Sequence, residues 1–527
     1  MTPFNLTREP WIPAETLDGA VAEFSTRDVL AKAHTLRGLA DPSPLVVAAL
    51  TRHLLAILHR AFDGPKDVTA WCEIAEPGSF ARAPIDAYLD SVENRMDLCH
   101  PTEPFAQVRG LTERFREYVS PIDEIEVVRA RWGGGRELFR HRPTSPAPSM
   151  TLARAARALL AHHAFATGGL VKKPDEPTSA TASPLTRAGV VVLRGDTLFK
   201  TLIANLLEYD TENARPFSTG GATDLCAWEQ PPAPRELRRS DEPKRLPLGY
   251  LDLLTWQSRR VELICENGVV TGFINAVGQG LAKGSPLDPM VTYHRHEEHG
   301  MLPVGIDTER GFWREANALF ESARGEGAPF ERPRALDLVS KAQVLQMLGE
   351  NVLVDVEVLG IAAEKSRIDA VRAERVQTRA RCFGDDDARA AVERALNLSR
   401  NLVSTLRSAL WVYARHALAP GGRDPDTNAV RALVDSLGAD AAAWSALGVE
   451  FEKLLRALGD DPDAAAVRFE SDALRAIHEV FQSAAARPAT TARWLKARAL
   501  AETALHKNLA EHRTPRPPTQ PAQEATP

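Results

Sequence analysis

The sequence predicts an α+β protein, with an irregular mixed α/β N-terminal domain followed by a C-terminal four-helix bundle. Three observations carry this reading. The front half mixes short β-like runs with helical segments, and Gly, Pro and Asp mark the turns between them. From about Ala388 the texture changes to Ala- and Leu-rich stretches with helical spacing. A length of 527 residues favours more than one domain.

In the front half, Val190-Val191-Val192-Leu193 reads as a buried strand and Val261-Glu262-Leu263-Ile264 as a second. Leu152 to Ala166 reads as a helix. The stretches Lys172 to Pro184 and Arg215 to Pro247 lack a clear period, and the second is rich in Pro, Arg and Glu, so both read as long surface loops. In the back half the apolar residues fall into four stripes. They are Leu402, Leu406, Leu410 and Tyr413, then Leu447, Phe451, Leu454 and Leu458, then Leu474, Ile477 and Phe481, then Trp494, Leu495, Leu505 and Leu509. Pro420, Asp460-Asp461-Pro462 and Pro488 break the runs, and each stripe needs a partner face, which a bundle provides. The last residues, 513–527, are Pro-rich and polar and are expected to be disordered.

Bulk chemistry narrows the function. A formal net charge of -6 argues against coating nucleic acid by overall electrostatics, so any such role must rest on local basic patches. Cys72, Cys99, Cys226, Cys265 and Cys382 are far apart and form no CxxC pair, which suggests neither a zinc ribbon nor a disulfide framework and fits a reducing cytoplasm. The N-terminus, with an early Glu and two prolines, is not an ordinary secretory signal, and no stretch reads as long and apolar enough to span a bilayer.

Catalytic signatures are missing. The glycine clusters Gly133-Gly134-Gly135 and Gly278-Gln279-Gly280 are not followed by the Lys-Ser/Thr of a phosphate loop, and no GxSxG elbow occurs. His294-Arg295-His296-Glu297-Glu298-His299 crowds imidazoles and carboxylates together, yet His296 and His299 lie three apart where a zincin needs four, so a solvated polar turn is expected. Adjacent His162 and His163 point to different sides of their helix. A metal-dependent hydrolase using residues 294–299, and a scaffold subunit that contacts no DNA, remain the competing readings.

Several strings carry a resemblance. In order they are Phe4-Asn5-Leu6 with Glu9-Pro10-Trp11-Ile12-Pro13, Leu138-Phe139-Arg140-His141, Thr167-Gly168-Gly169, the run Leu248-Gly249-Tyr250-Leu251-Asp252-Leu253-Leu254-Thr255-Trp256-Gln257-Ser258-Arg259-Arg260, and Asp288-Pro289-Met290-Val291. Over nearly the whole chain the sequence thereby resembles the CasA family, the large subunit of the type I-E CRISPR Cascade RNA-guided surveillance complex. The resemblance implies an α/β domain over 1–372, which recognises the protospacer-adjacent motif in double-stranded DNA and helps open the duplex, and a four-helix bundle over 373–512. It further implies partners: the 5′ end of the CRISPR RNA, the backbone and small Cascade subunits, and a helicase-nuclease that does the cutting. No membrane, cofactor or metal is expected. Some relatives carry a cysteine cluster near the position of Val261 to Gly272, where this chain has only Cys265.

The family likeness also nominates DNA-binding residues. Gly168 and Gly169, followed by Lys172 and Lys173, resemble a glycine loop that approaches the minor groove, where a missing Cβ allows close contact and ammonium groups meet phosphates; the alternative is a helix C-cap. Phe139 matches an aromatic on a loop, interleaved here with Arg136, Arg140, His141 and Arg142; the alternative is a core residue. Glu364, Lys365 and Ser366 stand where relatives carry a wedge that parts the duplex, and Lys283 where the family uses a lysine near the groove. Lys365, Arg372, Arg375 and Arg379 have the spacing of cations along one helical face, suited to a nucleic-acid backbone or to plain solvation.

Overall fold

The computed structural model describes residues 3–127, 148–217, 223–239, 244–308, 310–321, 327–349, 352–364, 367–419, 423–486 and 491–512. The chain divides into two compact units, 1–384 and 385–527. The boundary expected at 372/373 falls inside a strand, and the division comes twelve residues later.

In the first unit, β1 (Ile12–Thr16), β2 (Val21–Phe24) and β3 (Leu36–Leu39) form an antiparallel sheet in the order β2-β1-β3. Trp11 is fully buried just before β1, and its indole N–H donates to the carbonyl of Leu6 at 2.8 Å and to Thr26 Oγ1 at 3.1 Å, so the N-terminal strings build core. Helix α1 (Pro44–Phe62) starts on a proline and is apolar almost all round. By length and composition it could cross a membrane, contrary to the reading that no stretch could; yet 83% of its apolar window is packed inside the fold, as a core helix requires. Helix α2 (Leu152–Phe165) is capped by Thr151, whose hydroxyl accepts from the Arg154 N–H.

After α2 the chain forms the short hairpin β4 (Gly169–Leu170) and β5 (Ser179–Ala180). The expected strand at 190–193 is β6 (Val190–Arg194), buried on both faces as its unbroken apolar run suggests. Strand β7 (Lys244–Arg245) and helix α3 (Tyr250–Leu254) precede the expected strand around 261, which is β8 (Arg259–Glu266). It pairs with β9 (Val269–Val277) through the two-residue turn Asn267-Gly268, both at positive φ (51° and 78°), the conformation a primed hairpin turn needs. Strand β10 (Gly280–Leu281) runs parallel to β7.

Residues 293–303 form the hairpin β11 (Tyr293–His296) and β12 (Gly300–Pro303), with exposed Glu297, Glu298 and His299 at its turn, as expected of a solvated polar segment. The longest ladder joins β13 (Leu353–Glu364) to β14 (Arg367–Arg379), with β6 on the far side of β13. This corrects the helical stripe expected from Lys365 to Arg379. Charges three, four and seven apart fit a helix, but Val354, Val356 and Val358 offer a buried strand to pair with, and the ladder outweighs the local spacing.

The second unit contains α4 (Asp386–Leu418), α5 (Thr427–Ser436), α6 (Ala439–Ala457), α7 (Pro462–Ala486) and α8 (Ala492–Ala510), packed together. Four are long, as expected; α5, with ten residues, is an addition. Leu402, Leu406, Leu410, Tyr413, Leu447, Phe451, Leu454, Leu458, Ile477 and Phe481 are all buried. One stripe differs: Leu495 is 59% exposed, and α8 instead buries Ala497, Ala501, Leu505 and Leu509. Alanines on the buried face let α8 lie close to α4, so the helix turns its small residues inward.

Candidate nucleic-acid interface

Helix α2 ends at Phe165 with Ala166 as its cap, so the glycines beyond it are not the helix terminus. The carbonyls left at its end are used instead by the returning chain: Ser183 N–H donates to Ala166 O at 2.8 Å and Leu185 N–H to Ala164 O at 3.1 Å. Between these contacts the chain loops out as the β4–β5 hairpin. A Cβ on Gly168 would fall 2.8 Å from the backbone nitrogen of Ala182, so the close approach that demands glycine is to the opposite strand. Gly169 has φ +148°, which other residues rarely adopt.

Two arginines hold this hairpin from below. Arg259, 2% exposed, spans its base: its Nη2 donates to Thr167 O at 3.0 Å and Thr181 O at 2.8 Å, one carbonyl from each arm. Burial pushes this guanidinium down to about 10, which leaves it charged at neutral pH. Arg260 holds the loop through Glu176, a fully buried carboxylate that also takes Arg114 at 2.6 Å. The end of the Leu248-to-Arg260 string is therefore the fastening of the glycine hairpin. In the sequence these arginines stood out only as part of a family string; a pair of arginines inside a buried strand, with an acidic residue in a nearby loop, was the available signal.

Above this clamp the hairpin exposes an apolar residue and lysines, with Asp175 exposed beside them. Leu170 is 66% exposed and Lys172 is exposed. Lys173 is half-buried, with its Nζ 4.7 Å from the centre of the Tyr118 ring, and burial lowers its ammonium against the opposing pull of Glu176. Val171 and Ala180 pack on Val277, and a Cβ on Gly280 would meet Thr181 Oγ1 at 2.5 Å, so the chain at 277–280 lies against the hairpin, and Lys283 follows three residues beyond that contact. There Ser285 N–H donates to Ala282 O at 3.2 Å, closing a turn that carries exposed Lys283 next to Gly284 at φ +85°. The fold thus brings Gly168, Gly169, Lys172, Lys173 and Lys283 to one region. Exposed Lys244 joins them on β7, beside β10. The platform beneath is fixed by Arg245, which bonds Asp252, donates to Gln279 Oε1 at 2.7 Å and covers the Trp256 ring at 4.2 Å.

Arg372, Arg375 and Arg379 are not gathered on one face. They lie on β14, where successive side chains alternate, so Arg372 points opposite to Arg375 and Arg379. Arg375 Nη2 bonds Glu357 at 3.1 Å, Arg372 bonds the carbonyl of Thr308 and lies 3.7 Å from Glu374, and Arg379 is engaged as well. Glu364 closes β13 opposite Arg367. Phe139, Lys365 and Ser366 lie outside the described residues, as do Arg136, Arg140, His141 and Arg142.

His296 and His299 stack at 4.7 Å between ring centres, but among the described residues the 294–299 segment does not bring three ligand atoms together. His162 and His163 are core: each makes one ring-nitrogen contact with a backbone carbonyl, that of Ile125 at 3.2 Å and that of Ala106 at 2.9 Å, and burial holds them down at about 3 and about 4. Two cysteines far apart in the sequence are neighbours in the fold. The Cys99 and Cys265 sulfurs lie 3.1 Å apart as free thiols, because β8 ends where the chain around residue 99 passes.

Residues 5–487 match the family model described as CRISPR-associated protein Cse1. CasA/Cse1 of Thermus thermophilus is 31% identical over 462 residues, covering 85% of this chain and 86% of that protein. The crystal structure of CasA from Thermus thermophilus superposes with a TM-score of 0.81 at 28% identity, covering 97% of this chain and 100% of that one. Cse1 of Thermobifida fusca gives 0.79 at 27% identity, with 97% and 99% covered. A chain from a structure of a CRISPR RNA-guided surveillance complex shares the fold, with a TM-score of 0.71 at 22% identity and coverage of 96% and 100%. The basic glycine hairpin with its two-arginine clamp thus sits in a protein whose match extends through both units, and the chain belongs to the Cse1/CasA family of CRISPR-associated proteins, the family of the Cascade large subunit.

Proposed function

We propose that this chain serves in an RNA-guided surveillance complex as the subunit that recognises a short motif in double-stranded DNA, helps open the duplex, and helps recruit a helicase-nuclease that makes the cut. Its partners are the 5′ end of the CRISPR RNA, the backbone and small subunits, and the target duplex, in the cytoplasm. The chain itself binds and does not catalyse. The observation that carries the reading is the β4–β5 hairpin: a loop with an exposed Leu170, flanked by Lys172, Lys244 and Lys283, none of which has an ion-pair partner among the described residues. Gly169 leaves the backbone open to a groove, and the lysines meet phosphates. Glu364, Lys365 and Ser366 are the proposed wedge, and Phe139 with its arginines a second contact to the motif region or RNA end.

The test uses the assembled complex with a matched target offered as duplex or as single strand. Because Gly168 packs internally, the informative variant is Leu170→Asp with Lys172→Ala, which leaves the clamp untouched. It is expected to weaken duplex binding about tenfold, equivalent to roughly 1.4 kcal/mol of groove and phosphate interaction, with little change on the single strand. Equal losses on both would reduce the hairpin to a structural element. Replacing Lys365 and Ser366 by Gly is expected to slow R-loop formation, with recovery on a target carrying a pre-melted bubble.

A further inference from the structure

We propose that His478, Glu502 and His506 form a binding site for a borderline divalent transition-metal ion, Zn²⁺, Co²⁺ or Ni²⁺, which fastens the last helix of the bundle to the one before it. The site is independent of DNA recognition. Glu502 and His506 are four apart on α8 and so share a face, and His478 reaches them from α7. The helices are antiparallel here, since residue 478 meets 502 and 506 while residue 482 meets 498 and 502.

The geometry is close to a ligand set. His478 Nε2 lies 3.6 Å and His506 Nε2 3.9 Å from Glu502 Oε1, and one ligand atom from each residue lies within 4.8 Å of the others. A tetrahedral ion with bonds of about 2.0–2.1 Å holds its ligands about 3.3–3.4 Å apart, so small side-chain rotations close the set. Its acceptors already converge on one electropositive group: the amide nitrogen of Gln482 sits 3.2 Å from His478 Nε2 and bonds the Glu502 carboxylate. A cation replaces that amide and gains His506. Two imidazoles and one carboxylate select a borderline metal over Mg²⁺ or Ca²⁺, which prefer all-oxygen shells. The side chains of His478, Glu502 and His506 are 35%, 33% and 59% exposed, so the ion has an entry path and water completes its shell. Arg498, bonded to Gln482, adds a nearby positive charge that moderates affinity.

The experiment titrates Co²⁺ into the metal-stripped, untagged full chain and follows its visible d–d absorption, then displaces it with Zn²⁺. One saturable site per chain is expected, with a raised melting temperature on loading. Removing a ligand should cut affinity at least about tenfold in His506→Ala and in Glu502→Gln. Both positions are partly exposed, and circular dichroism checks that each variant is folded. His296→Ala with His299→Ala, the other close imidazole pair, should leave binding unchanged. Binding that survives His478→Ala and His506→Ala, binding abolished in the 296/299 variant, or no saturable binding up to about 100 μM metal would each overturn the proposal.

Discussion

The β4–β5 hairpin and strand β14 both entered as candidate DNA contacts because of their cations, and they use charge in opposite ways. Under the hairpin the arginines are spent inside the protein, on Glu176 and on the backbone carbonyls of both arms, and Lys172, Lys244 and Lys283 above are left to solvent. On β14 the cations on the surface are themselves engaged, Arg375 by Glu357 and Arg372 by Thr308 and Glu374. A count of basic residues does not separate the two regions. What separates them is whether a buried charge has been committed below so that an exposed one can remain available above.

Among single substitutions, the largest effect should come from breaking the clamp. Glu176→Gln leaves Arg260 and Arg114 facing a neutral group inside the fold, and is expected to cost about 3–5 kcal/mol in chemical denaturation. Arg259→Ala strands the Thr167 and Thr181 carbonyls and should cost about 3 kcal/mol, with duplex binding falling along with hairpin order. The corresponding break on β14, Glu357→Gln, should be smaller because Arg375 is 60% exposed and can turn to water, and the other partner, Arg194, 18% exposed, sits at the longer distance of 3.4 Å.

Next in size is pH. His53, His59, His162 and His163 are buried, with values held down at about 3, about 3, about 3 and about 4. The unfolded chain, with imidazoles near 6.5, binds more protons below that value, so this stability is full above about pH 6.5 and falls as pH drops toward 4. Each histidine contributes up to about 1.4 kcal/mol per pH unit in that window. Because His162 and His163 lie on α2, which leads into the hairpin, hydrogen-exchange protection around Lys172 should drop before that of β14; equal loss would mean both regions unfold as one.

A smaller effect separates the surfaces. Lys172→Ala with Lys283→Ala should leave the fold intact and reduce the slope of log affinity against log salt by about 0.9 for each phosphate that these lysines neutralise. Smallest of all is Arg375→Ala, expected to change stability by under about 1 kcal/mol and to leave the salt slope unchanged if its pair with Glu357 persists in the complex. A slope that falls with Arg372, Arg375 and Arg379 changed together would return β14 to the interface.

Much of the architecture was legible because it rests on local chemistry. An unbroken apolar, β-branched run marked β6, the run Val261-Glu262-Leu263-Ile264 marked the centre of β8, and stripes such as Leu402, Leu406, Leu410 and Tyr413 marked the bundle, since burial periodicity is written in neighbouring residues. The ordered strings also pointed to the family and to the glycine hairpin. Tertiary structure alone decided the rest. Residues 367–379 carry charge spacing a helix could use, and became a strand because β13, itself paired on its other side with β6 from far earlier in the chain, supplied a buried edge. Glu176 meets Arg260 across 84 positions, Cys99 meets Cys265 across 166, and Gly168 needs its missing side chain because Ala182 returns against it. Such contacts depend on where distant segments meet in space, and no periodicity within one segment encodes that.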